Sequence, residues 1–480
     1  MALENEKVNI LSGVIWNILS RFGTLLITFV TNIILARKLS YDDFGIIGLL
    51  MVFVALANTI LDGGLGTALI QKKLPETKDY STVFTFNIGI SSLLYLILFS
   101  GAPHIAVYYD KEILTDILRV QGLVLFINAF RIVQYNILIK QLRFRLLTIV
   151  DISSALLGSL TGIVLAFCGY GVWSLVLNNL VYSLLFTVII NVIATWRPSL
   201  HFDYSSFKKL FSFGGLILLS NLIDTLYKNI QNLIVGKAFS VTELGYYTQA
   251  KKLEDVPVQG VSSAINSVLF PVYSKLQDNK AILSDKLNKS IDILTFVLFP
   301  IMAIVIIVAE PLIELLYTAK WNASVPYFQL LCVAGTILPV NMANLNIIKS
   351  QGKGKMYMFM QIFQLIVGAS AMLIGVHWGV KGLICGSITT SYLYTIIVIC
   401  ISSNILKVSP AKQFGLIIKN MILSISTAIT IYIIFQNIKM NLFGLLIIPA
   451  VTYLLLYILI SLSFKVSGLN SCLQIIRKHQ

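Results

Sequence analysis

An arginine inside a long apolar run persists only where something polar meets it, and this chain places Arg131 in such a run. Gln121, Asn128, Arg131 and Tyr135 are spaced to fall within roughly 80° of one another on a helix that turns about 100° per residue. Two amides, a guanidinium and a phenol on one face make a polar stripe that hydrocarbon rejects. Such a stripe either bonds to neighbouring helices, because amides act as packing glue in a bilayer, or lines a wet cavity. Arg131 is more than glue requires, so the spacing is read as cavity lining. Arg21 stands in the first apolar run with no acid within helical reach on its own helix. It joins Arg131 as a candidate cavity cation.

Other ionisable residues interrupt the apolar runs. An ionisable side chain at a helix centre in a bilayer costs about 2.5–3.5 kcal/mol, so these positions are where binding or ion coupling belongs. The bases are Arg21, Arg119, Arg131, Lys228, Lys251 and Lys252; the acids counted against them are Asp62, Asp224, Glu254 and Asp255. Asp224 and Lys228 stand at i,i+4, in the order that favours an ion pair. Lys251 reaches Glu254 and Asp255 on its own face, which leaves Lys252 less neutralised, and Pro257 would bend that helix and offer a hinge. Asp62, in Leu61-Asp62-Gly63-Gly64, reads as a cap or interface residue before it reads as an ion site. Arg119, near the end of its run, reaches the interface. Lys228 and Lys252 are therefore added to the two arginines as binding candidates, and the four acids are held as candidates for coupling to an ion.

Several chemistries have no residues to carry them. Gly352-Lys353-Gly354-Lys355 lacks phosphate-loop spacing, and no nucleophile–base set appears. The cysteines Cys168, Cys332, Cys385, Cys400 and Cys472 show no Cys-x-x-Cys pair, and His104, His201, His377 and His479 are far apart. Neither catalysis, ATP hydrolysis, a disulfide framework, a metal centre nor a cofactor is expected.

The elements that must position these residues are membrane helices. The chain has 480 residues, 57% hydrophobic and 12% charged, with a mean hydropathy of +0.85. A soluble domain carries about twice that charge, roughly 25%, and a helix crosses the hydrocarbon core with about 20 apolar residues. Runs of that kind lie at 13–36, 44–70, 82–102, 117–139, 147–168, 172–195, 212–236, 244–273, 291–309, 325–348, 356–376, 380–402, 414–435 and 442–463. The expected fold is an all-α membrane protein of about 14 transmembrane helices. The first run is too long for a signal peptide and is expected to remain as a span.

Basic residues set the orientation. With the N-terminus in the cytoplasm, 23 of the 36 lysines and arginines fall in inner segments and seven in outer ones. Lys7, Lys78, Lys209 and Lys353 are then inside, as are Arg477 and Lys478; Lys111, Lys237, Lys381 and Lys439 are outside. Both termini are expected in the cytoplasm of a bacterium, the chain being multi-pass in its inner membrane. The net charge of +15 follows from that topology and from contact with anionic membrane lipid, and needs no nucleic-acid partner.

An internal echo recurs at an offset of 200 residues. Leu19-Ser20, Leu26, Asn32, Ile34, Ser40 and Gly45 return as Leu219-Ser220, Leu226, Asn232, Ile234, Ser240 and Gly245. Arg143 and Arg145 after the fourth run are matched by Lys353 and Lys355 after the tenth. Six spans separate each pair, so the repeat is parallel, an arrangement that puts substrate between two lobes. The expected domains are an N-terminal lobe at 1–200, a C-terminal lobe at 201–405, and two further helices with a tail at 406–480.

One stretch, Leu244-Gly245-Tyr246-Tyr247 with Ala250, Leu253 and Pro257, followed by Phe270-Pro271 and Ser274-Lys275-Leu276, resembles the polysaccharide-transporter branch of the multidrug/oligosaccharidyl-lipid/polysaccharide exporter superfamily. The first-half stretch Ala36-Arg37, Leu39 and Phe44-Gly45, with Asp62 and Gly64-Leu65, is similar to the same family, and the likeness runs over essentially the whole chain. It looks closest to Wzx-type flippases. The resemblance implies a two-lobed bundle that turns an oligosaccharide on undecaprenyl diphosphate from the inner to the outer leaflet by alternating access. The pathways implied are those of surface polysaccharides, among them O-antigen, capsule and exopolysaccharide. Arg21, Arg131, Lys228 and Lys252 would meet the diphosphate, and amide and aromatic side chains the sugars. A proton or sodium gradient and a polysaccharide polymerase are the further partners implied. The alternatives are an ion-coupled multidrug antiporter of the same superfamily and a lipid II flippase.

Overall fold

The computed structural model describes residues 2–72, 74–438 and 440–471. Lys73, Lys439, Cys472, Arg477, Lys478 and His479 lie outside the described residues, as do the side chains of Lys7, Phe270, Pro271, Ser274 and Lys275. Among the described residues the chain is helical, with no strand, as its apolar runs require. Backbone groups in hydrocarbon must be satisfied within the segment, which a helix does. Contacts divide the chain into two compact units, Met1–Gly245 and Tyr246–Gln480.

The first unit holds α1 (Ala2–Lys38), α2 (Tyr41–Asp62), α3 (Leu65–Gln71), α4 (Thr77–Tyr108), α5 (Ile113–Ala129), α6 (Ile132–Lys140), α7 (Phe144–Phe167), α8 (Trp173–Ile193), α9 (Tyr204–Ala238) and the opening residues of α10 (Val241–Lys275). Ser40 and Asp43 form a capping box that starts α2. Gly63 and Gly64 end it with φ of 55° and 67°, a left-handed turn that glycine adopts without strain. Lys140, at the end of α6, donates to the carbonyls of Leu69, Ile70 and Lys72 and so caps the end of α3. Asp203 caps α9 by accepting from the Ser205 and Ser206 amides. Its bonds to the Ser206 side chain and backbone hold its carboxyl below the usual range.

Sequence reading puts α9 at the head of a second lobe, and contacts group it with the first unit. It packs on α2, where Asn232 donates to the Gly48 carbonyl at 3.3 Å and the hydroxyls of Thr59 and Thr225 lie 3.0 Å apart.

The second unit holds the rest of α10, then α11 (Lys280–Ile307), α12 (Ala309–Tyr317), α13 (Val325–Thr336), α14 (Leu338–Ser350), α15 (Gly354–Gly375), α16 (Gly379–Leu406), α17 (Ala411–Phe435) and α18 (Leu442–Ser463). Leu287 and Ile291 of α11, Val340 and Ile347 of α14, Ile399 of α16 and Ile417 of α17 bury one another in its core. The last two helices are tied to this core by polar bonds. The Tyr457 hydroxyl donates to the Phe296 carbonyl at 3.0 Å, and the Asn420 amide donates to Asp292 and Thr295 at 3.2 and 2.8 Å.

Among the described residues, eleven helical stretches are long and apolar enough to cross a membrane, or twelve with the bent pair α5–α6. Gly354–Leu406 counts once in that total although it holds α15 and α16, which pack side by side. Two spans of the sequence reading are thereby merged into one, and the charged α10 is not among the eleven.

Candidate functional site

Arg131 does not lie in the middle of a helix. The run that the sequence presents as one span breaks at Phe130–Arg131, and α5 and α6 meet there with a bend of 41°. Arg131 sits at the N-cap of α6. The break divides the polar stripe. Gln121 is fully buried, and Asn128, also buried, donates to Asn58 Oδ1 at 2.7 Å; both are absent from the cavity wall. Arg131 and Tyr135 turn instead toward a cavity of about 510 Å³ in the first unit. Arg21 of α1, Asp62 of α2, Asp151 of α7 and Tyr182 of α8 complete its polar wall.

Asp151 is the centre of that wall. Ser20 and Thr24, one turn apart on α1, donate to its Oδ2 at 2.9 Å each, and Tyr182 donates to its Oδ1 at 2.8 Å. One carboxylate thus ties α1, α7 and α8 together, with Thr148 adding a bond to the Trp16 carbonyl at 2.9 Å. The Arg131 guanidinium lies 4.7 Å from the centre of the Phe186 ring, a cation–π contact, and feels the charge of Asp151. Its Nη1 is buried and makes no hydrogen bond to any described residue. A guanidinium with a donor unused suits a phosphoryl or carboxylate oxygen, which it binds as a planar fork. Tyr135, Tyr182 and Phe186 provide aromatic faces beside it, with ring centres 6.2 and 6.0 Å apart.

The remaining candidates lie elsewhere. Lys228 is exposed and paired with Asp224 at 2.6 Å, the i,i+4 ion pair that the spacing suggests. Lys251, in the second unit, pairs with Glu254 and, at 2.9 Å, with Asp255. Lys252 is half-buried in the same unit. Arg119 lies 4.3 Å from the centre of the Phe99 ring and turns to the backbone there. Sequence reading counted four acids in the spans and overlooked two, Asp151 and Asp292, each a lone carboxylate in an apolar run. The signal for Asp151 was present: a carboxylate within one apolar run, and a serine and threonine at i,i+4 in another.

A sequence profile of the family described as "Polysaccharide biosynthesis protein" matches residues 34–326. The chain is 25% identical to the succinoglycan biosynthesis transport protein ExoT of Rhizobium meliloti (strain 1021), over 75% of this chain and 73% of that one. It is 23% identical to the lipopolysaccharide biosynthesis protein WzxC of Escherichia coli (strain K12), over 83% and 81%. Among solved structures, lipid II flippase MurJ in an inward closed conformation has a TM-score of 0.79 at 16% identity, covering 94% of this chain and 98% of its own, which shows that the two share a fold. The match spans more than half of the sequence, and the chain belongs to the polysaccharide biosynthesis protein family, the branch of transporters that its glycine and arginine motifs resemble.

Proposed function

We propose that the chain is a flippase for an oligosaccharide carried on undecaprenyl diphosphate, working in the biosynthesis of a bacterial surface polysaccharide. What carries the reading, beside a family named for polysaccharide biosynthesis and a relative named for succinoglycan transport, is Arg131 with an unused donor in a cavity walled by aromatic rings. A diphosphate headgroup cannot enter hydrocarbon, whereas its polyprenyl tail stays in lipid. Only the headgroup needs a polar route, and Arg21 and Arg131 offer it charge while Tyr135 and Tyr182 face the sugars.

In the orientation set by the basic residues, the cavity opens toward the cytoplasm of the plasma membrane, both termini lie inside, and fourteen spans are crossed. The two halves alternate access to the outer leaflet. An ion gradient drives the turn, with Asp62, Asp224, Glu254 and Asp255 as carriers, and a polymerase takes the product. Lipid II flipping is a second reading, favoured by the fold shared with MurJ. A multidrug antiporter is disfavoured, since its cationic cargo would meet Arg21 and Arg131.

Proteoliposomes loaded in one leaflet with a polyprenyl diphospho-oligosaccharide, with lipid II, or with a lipophilic cation separate the three. Translocation of the diphospho-oligosaccharide is expected. Movement of lipid II alone or of the cation alone overturns this function.

A further inference from the structure

The break between α5 and α6 is held open from α8. A helix carried through Phe130 and Arg131 would bond each amide to the carbonyl four residues back. The Arg131 amide turns instead to the Asn128 carbonyl at 3.0 Å, and side chains of α8 take two of the carbonyls left over. Thr187 donates to the Ile127 carbonyl at 3.1 Å and Asn191 to that of Phe130 at 3.1 Å, while Asn191 Oδ1 accepts from the Gln134 side chain at 2.7 Å. The bend needs no proline, because bonds from a neighbouring helix replace those it loses. The amides on the other side of the break have no such replacement. Ile132, Val133 and Gln134 open α6, and their backbone N–H groups have no acceptor among the described residues. A helix start in water leaves such groups to the solvent; inside a bilayer each calls for an acceptor of its own.

What these amides meet is the cavity. Ile132 lines its wall, and Arg131, the N-cap residue beside it, lines it too. The buried Nη1 of Arg131 is likewise without a partner. Amides of a first turn point out of the end of their helix, where the aligned peptide dipoles gather partial positive charge. No acidic residue stands in the first turn of α6 to use them.

We propose that the start of α6 is a phosphoryl-oxygen site, in which the backbone amides of Ile132, Val133 and Gln134 join Arg131 in holding one phosphoryl group of the cargo. This rests on the diphosphate reading given above and supplies donors that the helical wheel does not show. Thr187 and Asn191 are positioning residues: they keep the break open, and so keep the donors free. The site exchanges no proton and leaves ion coupling to the acids named above.

The test uses the full chain in nanodiscs with two probes, a short-tailed polyprenyl diphospho-N-acetylglucosamine and inorganic diphosphate. The α-hydroxy analogue of isoleucine at position 132 replaces its N–H by an ester oxygen and keeps the side chain; the same exchange at Ile137, inside α6, is the control. The ester at 132 is expected to bind the lipid-linked probe about tenfold more weakly and to melt close to wild type. The ester at 137 should melt lower and bind as wild type does. Wild type offers a second measurement, because Arg-Ile occurs once in the chain, at 131–132. Carbonyl-13C arginine with 15N isoleucine therefore marks that one peptide bond, and its amide proton should move downfield when the probe binds. Undiminished binding by the ester at 132, or an amide signal that stays in place as wild type binds, overturns the site and leaves the diphosphate reading standing. Ester-sensitive binding of inorganic diphosphate, with none of the lipid-linked probe, upholds the site and overturns the diphospho-oligosaccharide reading. Wild type that binds neither probe overturns both.

Discussion

Gly45 and Gly245 hold each other's helices in a reciprocal clasp. A Cβ at Gly45 would strike the carbonyl oxygen of Val241, and a Cβ at Gly245 would strike that of Tyr41 and lie 3.3 Å from the Gly45 nitrogen. Thr242 donates to Asp42 beside them. All three pairs are separated by the 200-residue offset of the sequence echo or by four residues less or more. The starts of α2 and α10 meet at a distance that only hydrogen on Cα permits.

The clasp predicts opposite effects for one substitution. Gly45→Ala and Gly245→Ala push a methyl into backbone and should cost about 1–3 kcal/mol each. Gly101→Ala, with nothing within 4 Å of the added carbon, should be neutral or stabilising by up to about 1 kcal/mol, because alanine suits a helix better than glycine. Thermal unfolding of the three purified variants in one detergent checks this. Equal melting of all three would show that the clasp tolerates a side chain.

Arg131 should matter through its fork. Arg131→Ala is expected to abolish surface polysaccharide in a flippase-null strain while the protein inserts at normal abundance. Arg131→Lys keeps the charge, loses the bidentate geometry, and should retain part of the activity; Arg21 variants should follow the same order. Quantitative blotting beside the polysaccharide assay separates this from a packing role, in which abundance falls and removal of Asp151 as well restores it. Normal polysaccharide from both alanine variants would remove these arginines from the site.

Gly335 gives access to the acid cluster of the second unit. A Cβ there would run into Glu254 Oε1, and Glu254 is 1% exposed with its other oxygen held by Lys251. Gly335→Ala should displace the carboxylate and, if Glu254 carries ions, lower gradient-driven transport as far as Glu254→Gln does, at unchanged protein abundance. Full transport by Gly335→Ala in proteoliposomes would strike Glu254 from the coupling candidates.

Topology is tested by single cysteines in a cysteine-free background. Positions 78, 209 and 353 should be shielded from an impermeant thiol reagent in intact cells, and positions 111, 237 and 381 should label. Lys237 is exposed and turned to the Tyr108 carbonyl, so its replacement leaves no buried gap. Labelling at position 353 from outside would invert the orientation.

The class of the molecule was legible because hydrocarbon imposes one rule on every span: long apolar runs, helical throughout. Helix ends were less so: the run at 44–70 passes through Gly63 and Gly64, where the structure ends α2, and starts after the Ser40–Asp43 capping box that opens it. The ion pair of Asp224 and Lys228 could be read from spacing, because both partners ride one helix. The break at Phe130–Arg131 could not. Neither proline nor glycine marks it, and a helical wheel drawn through it joins Gln121 and Asn128 to a cavity they do not reach.

The site itself belongs to tertiary structure. Asp151 looks in sequence like one stray acid, and its meaning comes from Ser20 and Thr24 more than 120 positions away and from Tyr182 on the next helix. Which helix faces lie together depends on how small residues let backbones approach, at Gly45 and Gly245 above all. The amino-acid sequence by itself determined that this chain lives in a bilayer, that its spans are helical and that most of its intramembrane charges sit in apolar surroundings. Only the fold decided which of those charges meet, because electrostatic partners are chosen by distance in space, and in a helical bundle that distance is set by packing between segments remote along the chain.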